Sequence, residues 1–96
     1  MLGAIIGDIA GSRFEFNNIK TTKFEFFAPD CRFTDDTVMT LAVAKAILEA
    51  DGDWEQLDCI AGKNMRALGR LYCHDDYGLR FKEWLHSDDM GPYSGY

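Results

Sequence analysis

Thr34, Asp35 and Asp36 put a hydroxyl and two carboxylates on three consecutive positions, just ahead of an apolar run from Val38 to Ala50. Oxygen donors of this kind suit a hard divalent cation such as magnesium, which is held through one or two carboxylates and keeps much of its water. The same residues also have a purely structural reading. Threonine is a good N-cap, and aspartates in a first helical turn interact well with the positive end of the helix dipole. Residue types alone leave both readings open. Two more carboxylates stand upstream. Asp8 lies within the apolar segment 2–12, where a buried carboxylate must be paired, hydrogen-bonded or bound to a cation. Glu15, between Phe14 and Phe16, is either a site carboxylate or a solvated loop glutamate. Cys73-His74-Asp75-Asp76 carries four ligand-type side chains in a row, but consecutive side chains diverge, so a turn and helix cap is expected there.

These residues need elements to position them. Thr34 as cap, the two aspartates behind it and Gly52 near the far end predict a helix over 34–50. Between Val38 and Ala50 its polar residues are only Thr40, Lys45 and Glu49, so it reads as the central helix of the fold. Residues 2–12 predict a first helix, with Gly3, Gly7 and Gly11 on one face where another backbone or a ligand is expected to come close. From 13 to 33 the helical period is lost, and two Phe-Glu-Phe triplets and the Asn17-Asn18 turn signal fit a long loop or short hairpin. Asp53 with Gln56 three residues later reads as a variant capping box opening a helix over 53–72. That helix turns Leu57, Ile60, Ala61, Met65, Leu68, Leu71 and Tyr72 to the core and leaves Lys63, Arg66 and Arg70 more exposed. A last helix over 77–86 buries Phe81, Trp84 and Leu85, and Gly91-Pro92 ends regular structure ahead of the tail 93–96. The expected fold class is all-α: one compact domain over residues 1–96, of about four helices with a long irregular loop.

Composition narrows the function. Ten basic against sixteen acidic residues leave a net charge of −6, which argues against nucleic-acid binding and leaves carboxylates available for cations. Three widely spaced cysteines without a C-x-x-C pattern fit neither a disulfide framework nor a zinc site, so a reduced, cytoplasmic setting is expected. No apolar run approaches the roughly 18 to 20 residues that a membrane span needs, and Leu2 to Ala10 is broken by Asp8 and lacks a basic n-region, so no targeting or anchoring role is expected of it.

In order along the chain, Gly7-Asp8-Ile9-Ala10-Gly11-Ser12-Arg13-Phe14-Glu15-Phe16 and Phe33-Thr34-Asp35-Asp36-Thr37-Val38-Met39 resemble blocks of the ADP-ribosylglycohydrolase family. Tyr77-Gly78-Leu79-Arg80-Phe81-Lys82-Glu83-Trp84-Leu85 and the opening Pro92-Tyr93-Ser94 extend the likeness. The resemblance implies an all-helical fold and magnesium-dependent hydrolysis of the N- or O-glycosidic bond between ADP-ribose and a modified protein side chain or small molecule. It also implies that Thr34, Asp35 and Asp36 are metal ligands and that Glu15 is the acidic residue acting in hydrolysis. The likeness covers the family's N-terminal third. A second metal-binding block of the Asp-x-Asp-Thr type has no counterpart here, so Mg2+ is expected to bind this chain weakly or not at all, and the isolated chain is expected to be inactive. The alternative is a non-catalytic remnant serving as a homo-oligomeric or partner-binding helical module. In either case the apolar helix 38–50 and the aromatic residues Trp54, Phe81 and Trp84 predict exposed apolar surface, and hence a homodimer.

Overall fold

The computed structural model describes residues 1–89 and 91–92, and every regular element among them is helical. The tail 93–96, including the expected fourth block from Tyr93 onward, lies outside the described residues. Helix α1 spans Leu2–Gly11 and runs into a 3-10 turn, Ser12–Phe14. Helix α2 spans Asp35–Ala50, α3 Leu57–Leu71 and α4 Leu79–His86.

Helix α2 begins where its cap residue requires. The Thr34 hydroxyl accepts a hydrogen bond from the Asp36 amide at 3.3 Å, satisfying one of the free donors of the first turn. It ends as Asp51 and Gly52 both turn left-handed, at φ 47° and 87°. Its buried line, Val38, Ala42, Ala46 and Ala50, repeats every four residues and lets α3 pack closely along it, with α1 on another flank. The helix is central, as its composition predicts. Its larger apolar residues are another matter: Leu41, Val43, Ile47 and Leu48 are exposed, Leu48 by 79%. Three other short helices cannot enclose a helix whose apolar residues run around most of its circumference.

Helix α3 departs from expectation at its start. Asp53 makes no side-chain cap, Trp54–Gln56 form a 3-10 turn, and the α-helix starts only at Leu57, so the capping box over 53–56 does not form. Asn64, buried on α3, accepts from Lys45 Nζ and donates to Glu49 and to the Ile60 carbonyl, joining α2 to α3. Arg66, expected on the outer face, instead lies 4.1 Å over the Trp84 ring and donates to the Trp84 carbonyl. Arg70 donates to the Leu85 carbonyl, so both arginines of α3 bond carbonyls in the last turn of α4.

The core lies where α4 meets α2 and α3: Tyr77, Trp84 and Leu85, with Met39, Met65 and Phe81 packed against them. Helix α4 starts at Leu79, behind Gly78 as an N-cap without a side-chain bond, two residues later than predicted, because Tyr77 is drawn into this core. Gly69 packs tightly here: a Cβ at that position would stand 2.6 Å from Leu85 Cδ2, so the Leu85 side chain would have to shift.

The connection 13–33 is a loop and not a hairpin. Its aromatic residues meet one another instead of pairing strands: Phe14 and Phe24 stand edge to face at 5.3 Å, and Phe26 and Phe27 at 4.8 Å. Its base is closed by Ser12, whose hydroxyl donates to the Ile9 carbonyl and accepts from the Arg32 amide.

Candidate functional site

The site is assembled by one carboxylate. Asp8 on α1 accepts four hydrogen bonds at the start of α2: from the amide and hydroxyl of Thr34 at 2.8 and 2.6 Å, and from the amide and hydroxyl of Thr37 at 3.2 and 2.6 Å. Burial alone would raise its pKa, yet these four donors outweigh burial and hold the carboxyl below its ordinary value. This answers the question the sequence raises about a carboxylate among apolar residues: Asp8 is hydrogen-bonded to a helix N-terminus, where a negative charge also suits the dipole.

With α1 fixed across the entrance of α2, an open cleft of about 890 Å³ forms between the two helices. Gly7, Gly11 and Ser12 border it from α1 and the following turn, Asp36, Met39 and Thr40 from α2, and Glu15 from the start of the loop. Apart from the backbone of α1 itself and the adjoining residues, nothing among the described residues lies within 4 Å of a Cβ placed on Gly3, Gly7 or Gly11, so no other element packs against the glycine positions.

The structure therefore brings Glu15 and Asp36 onto one cleft, with Asp35 half-buried beside them. Glu15 is exposed by surface area, but partial loss of hydration and then repulsion from Asp35, Asp76 and Asp36 push its carboxyl above the ordinary value, with Arg32 opposing. Burial, followed by repulsion from Asp36 and Asp76, likewise pushes Asp35 up. Thr34 is placed differently. Its side chain is 1% exposed and its hydroxyl already donates to Asp8 and accepts from Asp36, so it serves here as the cap and as a partner of Asp8.

Arg32, which the sequence analysis does not single out, and Asp76, expected there only in a turn and helix cap, belong to this arrangement. Arg32 forms a two-pronged ion pair with Asp76, both contacts 2.8 Å. The pair holds the Asp76 carboxyl below its usual range, ties the end of the loop to the turn after α3, and leaves a cation near Glu15. Asp76 lies in the expected turn 73–76, closed by its amide on the Cys73 carbonyl, but that turn does not cap α4. No local spacing links positions 44 residues apart.

The carboxylates of Glu15, Asp35 and Asp36 are hard oxygen donors whose mutual repulsion a divalent cation would relieve. Among the described residues, no three His, Cys, Asp or Glu side chains stand together in a metal-binding arrangement. A cation at these carboxylates would have to take one or two of them and water, since no closed cage stands there among the described residues.

Against this geometry, the sequence profile of the ADP-ribosylglycohydrolase family matches residues 1–95 of the chain. Comparison with curated proteins and with solved structures gives no match.

Proposed function

Because the chain belongs to the ADP-ribosylglycohydrolase family, we propose that it serves magnesium-dependent hydrolysis of the glycosidic bond between ADP-ribose and a modified protein side chain or small molecule, contributing the acidic part of the site. The observation that carries this reading is the meeting of Glu15 and Asp36 on one cleft beside Asp35, in a set whose electrostatics favour a bound cation. Asp35 and Asp36 would hold magnesium, which when bound polarises ribose hydroxyls and water. Glu15, with its carboxyl pushed up, takes a proton from the attacking water or stabilises positive charge developing at the anomeric carbon. Asp8 and the Arg32–Asp76 pair act through position, fixing α1 and the loop end against the entrance of α2.

Titration calorimetry tests this reading. The parent chain should bind Mg2+ weakly, and Asp35→Asn with Asp36→Asn should abolish the heat. Identical heats in the two proteins would remove both aspartates from the ligand list. Release of ADP-ribose from an ADP-ribosylated protein, followed with and without Mg2+ and in Glu15→Gln, then reads the chemistry.

One observation favours a second reading, a non-catalytic helical module: no group of three metal-binding side chains stands together among the described residues. No magnesium heat and no ADP-ribose release from a well-folded parent would select it. Under either reading we expect a single domain that pairs with a second copy through the exposed apolar residues of α2. A cytoplasmic setting suits the three free cysteines, and no helix among the described residues is long and apolar enough to cross a membrane.

A further inference from the structure

We propose that His74 and His86 form a two-imidazole site for a borderline transition-metal cation, such as Zn2+ or Ni2+, distinct from the acidic cleft. Their Nε2 atoms stand 3.1 Å apart, with the rings tilted by 52° and their centroids 5.3 Å apart. Two imidazole nitrogens bound to one metal at about 2.0 to 2.1 Å are separated by about 2.9 Å at a right angle and about 3.3 Å at a tetrahedral angle. The observed spacing falls between these values, so an ion can bridge the two nitrogens once each ring turns from its partner toward a common point.

Neither side chain is occupied elsewhere. Both are exposed, and among the described residues the only hydrogen bond either ring makes is to the other. Both anchors are fixed by the fold. His74 follows Cys73, whose backbone is left-handed at φ 54°, in a turn closed by the Asp76 amide on the Cys73 carbonyl. His86 ends α4, which Arg70 holds to α3 through the Leu85 carbonyl and Asp88. Neutral imidazoles favour zinc, nickel and copper over magnesium, so the ion taken here differs in kind from the one suited to the carboxylates of the cleft. Neither histidine lines that cleft. Water completes the coordination shell, and the ion acts as a clip between the turn after α3 and the end of α4.

Titration of the untagged chain with Ni2+ in a non-coordinating buffer provides the test, with thermal unfolding recorded alongside. One ion per chain should bind, the unfolding midpoint should rise with Ni2+, and His74→Ala and His86→Ala should each weaken binding at least about tenfold and remove the rise. Asp35→Asn with Asp36→Asn should leave Ni2+ affinity unchanged, which separates this site from the magnesium reading. Circular dichroism confirms that the histidine variants, altered only at exposed positions, remain helical. Failure of the parent to bind, affinity that survives both histidine replacements, or affinity lost in the aspartate variant would each overturn the proposal.

Discussion

Asp8 accepts from both the backbone and the hydroxyl of Thr34 and of Thr37, so removing its carboxylate leaves four donors at the entrance of α2 to find other partners. Asp8→Ala should cost about 2 to 4 kcal/mol, since hydrogen bonds to a charged acceptor contribute more than neutral ones while the half-exposed site lets water replace some of them; urea unfolding measures the loss. The pH dependence has a definite sign. A carboxyl held below its unfolded value of about 3.8 stabilises the fold above that pH, and the contribution disappears as pH falls through the folded value. Acid unfolding should therefore be less steep in Asp8→Asn than in the parent. Glu15 runs the other way: its raised pKa stabilises below the unfolded value and is lost as pH rises through the folded one. Glu15→Gln should thus raise the urea midpoint slightly at pH 7 while removing the site carboxylate. At this scale the sequence shows that Asp8 needs partners and that Thr34 caps a helix. It does not show that these two facts are one contact, because periodicity is blind to a hydrogen bond spanning 26 residues.

Among the elements, α3 meets α4 at Gly69, where a methyl group would press on the fully buried Leu85. Gly69→Ala should destabilise by about 1 to 3 kcal/mol through overpacking, and Leu85→Val should recover part of the loss when the two are combined. Chemical denaturation of the single and double variants checks the coupling. The Arg32–Asp76 pair joins the loop to the turn after α3, but half of the Arg32 side chain faces water. A double-mutant cycle with Arg32→Ala and Asp76→Ala should give a coupling of about 1 kcal/mol, well short of a fully buried pair. Helix positions were legible because caps, glycines and apolar spacing are local signals. Their departures arise from tertiary contacts: Tyr77 leaves the start of α4 for the core, Arg66 is drawn onto Trp84, and Phe14, Phe24, Phe26 and Phe27 gather together instead of forming strands.

The whole molecule is extended for its length. Its radius of gyration is 15.2 Å, against about 12.5 Å for a compact 96-residue domain, and its 7022 Å² of accessible surface compares with about 5,600 Å² for a protein of this mass. Exposed Leu41, Val43, Ile47 and Leu48 on α2 make up part of the excess. Pairing of two copies would cover it, and light scattering during size-exclusion chromatography should give about twice the 10.9 kDa chain mass at micromolar concentration; the chain mass itself would rule pairing out. The fold class and the incomplete cover of α2 were both legible from the apolar pattern, while which of its residues stay uncovered was not, because periodicity reports which residues seek cover and not which of them a short chain covers. The closed base of the loop has a consequence for cleavage. Asp8 on Thr34 and Ser12 on Arg32 clasp its two ends, whereas Lys20 and Lys23 stand exposed near its tip. Brief trypsin treatment should nick the chain there, and the two pieces should still co-elute under native conditions and separate only in denaturant.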